Sequence, residues 1–345
     1  YDVKPKRVAV VVAGGLLRFN FNSTIHHLIR PMADQGHHVD YYLSLSSNIQ
    51  RAYRATSQYM DHLVVDPVLP PTADSLASTV DFIEKQVIAS GGTPRTVVFD
   101  RPLHVDEHPL LKARRAAAME SHPREDPDMR FPMLDIRTAT VRSRTARGNK
   151  NMYALFYNIQ SLWKDLVDTE SEEEFQYDFV FFLRDDTMWL MDFDFNELIS
   201  SNKPSTELFS LSCDARQPAM HPLEINDHIA IVKRNRAEMF GNYFEHLFDE
   251  GIEDCSDQLD REFTWGGRRG CNSEMILKWM LKNAGVEIAS VPQATIPFQR
   301  SVHVETSSGV IEPCFHKLCQ SHDMPIPDFG ISRCSDVFEA KSVMR

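Results

Sequence analysis

The sequence lacks several features that define whole classes of protein. Its 37 Lys and Arg residues are outnumbered by 49 Asp and Glu residues, which gives a formal net charge of −12. It therefore has no cationic excess to neutralise nucleic-acid phosphates, and we expect no nucleic-acid partner. It also has no run of about eighteen apolar residues, the length that a membrane-spanning helix needs. The first residue is Tyr rather than Met, so we expect membrane attachment, if there is any, only through a segment upstream of residue 1.

The six cysteines lack the spacing of a zinc site. None of them forms a Cys-x-x-Cys pair. Three of them, Cys314, Cys319 and Cys334, crowd a C-terminal stretch with several prolines. Closely spaced cysteines in such a stretch indicate disulfides in an oxidising compartment, and free buried thiols are the alternative. We accordingly expect the Golgi or secretory lumen, with the cytoplasm as the alternative.

What the sequence does have is an alternation of apolar runs with amphipathic segments. The predicted strands cover 8–12, 39–45, 96–99, 179–183, 207–212, 226–232 and 286–291, and the main predicted helices cover 25–32, 73–90, 149–167, 193–199, 236–248 and 274–284. Strands that alternate with helices are typical of an α/β fold. We predict a mixed, mostly parallel sheet with helices on both faces and an irregular C-terminal tail.

The central strand, Phe179–Leu183, is a continuous apolar run that leads directly into Arg184, Asp185 and Asp186. Such a run is typical of a strand buried on both faces, and ligands of open α/β sheets bind beyond the carboxyl ends of such strands. Carboxylate oxygens at that position suit Mg²⁺ or Mn²⁺ together with substrate phosphates. The alternative is a solvated turn at the end of a strand.

The first strand, 8–12, also leads into residues that suit a phosphate-bearing ligand. Gly14 and Gly15 permit close approach of the backbone, and Arg18 follows where it can meet a phosphate or a uracil-like base. The alternative for Arg18 is a surface arginine on a loop.

Two further features lie between these strands. Residues 110–150 contain eight arginines, which we interpret either as a surface loop or as a lid that brings arginines to a phosphate-bearing donor. The helix predicted from Asn149 presents its N-terminal amides, near Asn151, to a diphosphate at the same edge of the sheet.

Together these motifs resemble the GT-A glycosyltransferases, and more closely the GT-A-like enzymes of bacteria, large viruses and protists. Four short motifs carry the resemblance. The first is the strand, glycine turn and arginine from Val8 to Arg18, and the second is the helix and Arg-x-Asp strand end from Asn151 to Asp186. The third is the strand that starts at Asn226-Asp227, and the fourth is the helix that begins at Glu274. The loop Trp265-Gly266-Gly267 is similar to an acceptor-side loop of galactosyl- and N-acetylgalactosaminyltransferases. The resemblance covers residues 6–300 as one GT-A-like domain, with 110–150 as an insert and 301–345 as an irregular extension.

The resemblance implies transfer of a hexosyl or pentosyl group from a nucleotide sugar to a carbohydrate or glycoprotein acceptor. It places Asp186 at the metal position of the family's Asp-x-Asp motif and Asp185 or Arg184 against the donor. It places His303 or His316 where the family has a further metal ligand, and an ordinary surface or core histidine is the alternative for each. Mn²⁺ or Mg²⁺ is then the expected cofactor. This chain reads Arg-Asp-Asp at the motif, so neutralisation of a leaving diphosphate by arginines is the alternative.

An inverting transfer also needs a carboxylate base within reach of the acceptor hydroxyl. Glu274 is the first candidate and Asp227 the second, although the helix dipole alone favours a carboxylate in a first turn. Two other functions stay open. One is a sugar-nucleotide-forming nucleotidyltransferase, whose first strand also ends in Ala-Gly-Gly near an arginine, and the other is a catalytically silent GT-A-like binding module.

Overall fold

The computed structural model describes residues 3–47, 76–100, 144–212, 229–246, 284–292, 295–305, 311–316 and 332–333, with isolated helical residues between 109 and 120 and between 277 and 283. These residues form a seven-stranded sheet, a four-stranded sheet and a set of helices. Among the helices described, none combines the length and the apolar character that crossing a bilayer requires.

The larger sheet is mostly parallel, as the sequence predicts. In spatial order its strands are β3 (Gly92–Phe99), β2 (His38–Ser46), β1 (Arg7–Gly15), β4 (Phe179–Arg184), β7 (Ile229–Lys233), β6 (Leu208–Ser212) and β8 (Ile288–Pro292). Of these strands only β7 runs antiparallel to its neighbours, and the other adjacent pairs are parallel. Because β1 and β4 are adjacent and parallel, their carboxyl ends meet at the same edge.

Helices cover both faces of this sheet. They are α1 (Phe21–Thr24), a π turn (Ile25–Ile29) that leads into α2 (Arg30–Asp34), α3 (Leu76–Ala89), α4 (Arg144–Glu172), α5 (Phe195–Ser201), α6 (Arg234–Gly241) and α7 (Tyr243–His246). Alternate residues of a strand face opposite sides of a sheet. Accordingly Val8 and Val10 enter the core beneath α1, α2, α3 and α5, whereas Ala9 and Val11 enter the core beneath α4, α6 and α7. The predicted fold class, with helices on both faces, is confirmed.

Helix α4 begins earlier than the sequence predicts. It starts at Arg144, before the predicted start at Asn149. The apolar periodicity marks only the part of the helix that packs on the sheet, and residues with good helix propensity such as Arg and Ala extend it beyond that stripe. The backbone amide of Asn151 therefore lies inside the helix, where amides bond the carbonyl four residues earlier. The prediction that Asn151 lies at a helix N-terminus is wrong.

The first helix also starts earlier than predicted, at Phe21. Ser23 and Thr24, the predicted caps, lie within it. Their hydroxyls donate to the backbone carbonyl of Asn20 at 3.2 and 3.0 Å. They therefore bond back along the helix and do not cap its N-terminus.

The four-stranded sheet corrects the prediction of an irregular tail. In spatial order it contains β11 (Ser332–Arg333), β10 (Ile311–His316), β9 (Phe298–Glu305) and β5 (Thr187–Trp189). Strand β5 follows the two aspartates directly and pairs antiparallel with β9. The strands after residue 297 mix polar and apolar residues, and β9 finds its partner β5 far away in sequence, so local pattern does not reveal them. Strand β9 also runs across the predicted boundary between residues 300 and 301.

Candidate active site

The turn after β1 carries Arg18 towards the end of β4. This turn is the short 3-10 helix Leu16–Arg18. Leu16 and Phe19 are buried in the core and anchor it. The side-chain amide of Asn20 donates to the backbone carbonyl of Arg18 at 3.0 Å. These contacts fix the backbone from which the Arg18 side chain extends.

Asp185 is held by β1 and by the turn that follows it. Its Oδ1 accepts a hydrogen bond from Nη2 of Arg18 at 2.8 Å, and its Oδ2 lies 2.7 Å from the same nitrogen. Oδ2 also accepts from the backbone N–H of Gly15 at 2.9 Å. The backbone of Asp185 donates to the carbonyl of Ala13 at 3.1 Å and accepts from the N–H of Asn20 at 3.2 Å. Asp185 thus ties the end of β4 to the end of β1.

Asp186 joins two arginines. Its Oδ2 accepts hydrogen bonds from Nη1 of Arg18 and from Nη2 of Arg184, both at 3.1 Å. Arg18 therefore spans both carboxylates with its two terminal nitrogens, which suits the planar fork of a guanidinium group. We call Arg18, Arg184, Asp185 and Asp186 the four-charge cluster. It lies at the carboxyl edge of β1 and β4, where the sequence predicts a site.

Gly14 is the residue against which Asp185 packs. A Cβ atom at Gly14 would lie 2.2 Å from Cγ of Asp185 and 2.3 Å from its Oδ1, and the φ angle of Gly14 is +150°. A Cβ atom at Gly15 would meet Oδ2 of Asp185 at an ordinary 3.6 Å. Sequence reasoning missed this role of Gly14, because the contact joins residues far apart in the chain. That Gly14 and Gly15 also approach a donor stays a prediction.

The two carboxylates are buried more deeply than the two arginines. The side chains of Asp185 and Asp186 are 0% exposed, whereas those of Arg18 and Arg184 are 10% and 13% exposed. The alternatives of a solvated turn for the aspartates and a surface loop for Arg18 are therefore wrong. Burial raises the pKa of Asp185, the Arg18 guanidinium opposes that rise, and the neighbouring Asp186 carboxylate adds to it.

The four-stranded sheet lies next to the cluster. Thr187, the residue after Asp186, is in register with Arg300 of β9, and Arg300 is in register with His316 of β10. The C-terminal strands therefore reach the end of β4 through β5. The resemblance implies such proximity for His303, but the strand pairing that produces it has no local signal in the sequence.

The geometry of the four-charge cluster shows whether its carboxylates can bind the Mn²⁺ or Mg²⁺ that the resemblance implies. These cations bind carboxylate oxygens at about 2.0–2.6 Å, but guanidinium nitrogens already contact the oxygens of Asp185 and Asp186. In the part of the chain that the structure describes, no group of three His, Cys, Asp or Glu residues is placed to hold a metal ion. His303 lies in β9 opposite Pro313, and its side chain is not among those described. As arranged here, the cluster does not fit a divalent cation.

A small apolar cavity lies beside Arg184, on the face of the sheet that α4 covers. Its volume is about 30 Å³, room for only one or two water molecules. Aromatic rings form much of its wall, from Phe156, Phe182, Phe240 and Tyr243. The cavity is too small for a sugar nucleotide, so we expect a donor to approach the cluster from the carboxyl edge of the strands.

Several predicted site residues lie outside the described residues. They are Asp227, Glu274, the Trp265 loop and most of the arginine-rich segment 110–150. Their roles stay predictions, and so does the role of His303. The predicted disulfides are also untested, since the structure places Cys314 in β10 opposite Val302 without describing its side chain.

Comparisons with known proteins return glycosyltransferases among the solved structures. No family model and no curated protein matches the sequence. The glycosyltransferase GlyE of Streptococcus pneumoniae is similar at 10% identity and a TM-score of 0.33, over 84% of this chain and 46% of GlyE. This chain thus spans less than half the length of GlyE. Mouse xyloside xylosyltransferase 1 is similar at 7% identity and a TM-score of 0.33, over 84% of this chain and 86% of that protein.

A nucleotide-sugar enzyme of a different class is also similar. It is the nucleoside-diphosphate-sugar pyrophosphorylase of Vibrio cholerae, at 8% identity and a TM-score of 0.36, over 84% of this chain and 93% of that protein. TM-scores below 0.5 at these identities establish no shared function.

Proposed function

We propose that this protein is a glycosyltransferase that moves a sugar from a nucleotide-sugar donor to a hydroxyl group of a glycan or glycoprotein. The observation that supports this most is the four-charge cluster. Two guanidinium groups, Arg18 and Arg184, meet at the carboxyl edge of the adjacent parallel strands β1 and β4. That edge is where open α/β sheets bind ligands, and a guanidinium fork matches the oxygens of a phosphate.

The reaction needs three things from the protein. The leaving nucleoside diphosphate must have its charge stabilised, a task that suits preorganised cations. The donor sugar and the acceptor hydroxyl must be held in line. A base must take the proton of the acceptor hydroxyl, and we assign that role to Glu274, with Asp227 as the second candidate. Arg18 and Arg184 stabilise the charge of the leaving nucleoside diphosphate.

The turn after β1 favours transfer over nucleotidyl transfer. An enzyme that holds a nucleoside triphosphate in a glycine-rich loop needs several free backbone amides there. In this protein the amide of Gly15 is bonded to Asp185, and the chain then enters the 3-10 turn Leu16–Arg18. The amide of Gly15 is therefore already engaged and is not offered to a triphosphate.

A product assay separates the possible functions. The purified protein is incubated with a panel of UDP- and GDP-linked sugars and with nucleoside triphosphate plus sugar phosphate. Release of nucleoside diphosphate from a nucleotide sugar supports the proposal. Release of pyrophosphate from the triphosphate mixture supports a nucleotidyltransferase, and the absence of both products supports a binding module.

Asp186→Asn should lower the rate of donor turnover by about tenfold to a thousandfold, the scale of losing one preorganised charge contact. Asp186 is a positioning residue that holds Arg18 and Arg184 together through one oxygen. The change nearly preserves the shape of the side chain and removes its charge. Steady-state kinetics on the donor that turns over measure kcat and KM separately, and thermal unfolding shows whether the variant is folded.

Asp192→Asn is the matched control, because Asp192 is an exposed carboxylate that pairs with His27, which is not a member of the four-charge cluster. We expect it to turn over donor at the wild-type rate. If a folded Asp186→Asn variant does the same, Asp186 has no part in donor turnover.

A further inference from the structure

We propose that Arg18 and Arg184 neutralise the leaving diphosphate themselves, so that transfer needs no divalent cation. This inference rests on the proposed function and departs from the metal-assisted reaction that the resemblance implies. Three observations carry it: the partners of the carboxylate oxygens, the balance of charge, and the unequal exposure of the four side chains.

Both oxygens of Asp185 and Oδ2 of Asp186 already have cationic partners. Arg18 donates to both aspartates, at 2.8 Å to Asp185 and 3.1 Å to Asp186, and Arg184 donates to Asp186 at 3.1 Å. The backbone N–H of Gly15 adds a further donor to Asp185. A divalent cation that bound these oxygens would displace guanidinium groups and then lie within a few ångströms of their positive charge.

The formal charges of the cluster balance, since two carboxylates face two guanidinium groups. Sites for Mg²⁺ and Mn²⁺ offer the cation a surplus of anionic oxygen, which this cluster does not have. A diphosphate brings negative charge that two guanidinium groups can share, as bidentate hydrogen-bond donors. These four side chains therefore offer a cation no surplus of negative charge, whereas their guanidinium groups can donate to an anion.

The solvent exposure of the four side chains also favours an anionic ligand. The carboxylate side chains of Asp185 and Asp186 are 0% exposed, whereas Arg18 and Arg184 are 10% and 13% exposed. A ligand that reaches the cluster from the solvent meets guanidinium groups first. The two aspartates, which lie deeper in the protein, are positioning residues that fix where the guanidinium nitrogens lie.

The chemical step balances without a metal. The bond between the anomeric carbon and the diphosphate oxygen breaks, and its electron pair leaves with the nucleoside diphosphate, where Arg18 and Arg184 stabilise the charge. The acceptor oxygen bonds to the anomeric carbon and loses its proton to the base. The products are the glycoside, the nucleoside diphosphate and one proton.

The test measures binding of UDP and GDP by calorimetry, once in EDTA and once with Mn²⁺. We expect the tighter of the two nucleotides to bind with Kd values within about twofold under both conditions. Arg18→Ala and Arg184→Ala should each weaken that binding by about tenfold or more, the scale of one charge-assisted hydrogen bond. Lys85→Ala removes an exposed cation of α3 that pairs with Asp81, and should leave Kd unchanged.

Thermal unfolding shows whether each variant is folded. If an alanine variant does not fold, Arg18→Lys or Arg184→Lys replaces it, because lysine keeps the positive charge and lacks the guanidinium fork. Binding at least about tenfold tighter with Mn²⁺ than in EDTA would overturn the inference, and so would the absence of nucleotide binding under both conditions. The proposed function fails in a different way, since it fails if nucleotide binds in EDTA but no nucleotide sugar is turned over.

Discussion

Gly14→Ala is expected to abolish donor turnover and to lower the free energy of unfolding by about 3 kcal/mol. The new methyl group would lie 2.2 Å from Cγ of Asp185, a carboxylate that is fully buried and bonded to Arg18. Overpacking in a buried site costs about 1–3 kcal/mol. The φ angle of +150° at Gly14 adds backbone strain for any residue with a Cβ atom, about 1–3 kcal/mol. Urea unfolding and the donor turnover assay measure the two effects.

Gly15→Ala is the matched control for this prediction. Its methyl group would meet Oδ2 of Asp185 at 3.6 Å, and the φ angle of Gly15 is −120°, which any residue adopts. We expect the control to keep stability within about 1 kcal/mol of the parent, since Gly→Ala at a compatible site changes stability by that much or less. Equal stability and equal turnover in the two variants would show that Asp185 does not depend on its contact with Gly14.

Glu274→Gln is expected to lower the rate of transfer by about 10² to 10⁴, the usual share of general-base catalysis. The proposal assigns Glu274 to the proton of the acceptor hydroxyl, so donor binding should stay at the parent value. Hydrolysis of the donor by water should fall less, because water needs no positioning of a large acceptor. Single-turnover transfer and calorimetry with the nucleotide separate these effects.

Glu197→Gln is the control variant, because Glu197 is a glutamate in the first turn of a helix with no proposed catalytic role. Glu197 lies exposed in the first turn of α5, where a carboxylate is favoured electrostatically. We expect this variant to transfer sugar at the parent rate.

The anomeric configuration of the product should be opposite to that of the donor, as read from NMR coupling constants. Retention would end the role of Glu274 as a base, and inversion with an active Glu274→Gln variant would move the role to Asp227.

Local sequence pattern is enough to predict the strands that build the larger sheet. The run 179–183 is continuously apolar because β4 is covered on both faces, and the same holds for β1. The sequence predicts both strands in one parallel sheet and therefore predicts their polar ends at one edge. Arg18, Asp185 and Asp186 could therefore be predicted as a shared site before their contacts were known.

The contacts within the site could not be predicted in the same way. That Arg18 bonds both aspartates depends on β1 and β4 being neighbours, which the order of strands along the chain does not determine. The packing of Gly14 on Asp185 depends on the same adjacency. The four-stranded sheet was missed for a related reason, because β5 has three residues and is completed by β9 from the far end of the chain. Each of these features is a long-range contact with no local signature.

A crystal structure of the protein with whichever of UDP and GDP binds more tightly, grown in the presence of EDTA, tests the central claim most directly. The account predicts that an oxygen of the diphosphate lies within about 3 Å of a guanidinium nitrogen of Arg18 or Arg184, at the carboxyl edge of β1 and β4. It also predicts that Asp185 and Asp186 still contact those guanidinium groups. A diphosphate bound only against the four-stranded sheet, with no contact to Arg18 or Arg184, would contradict the account.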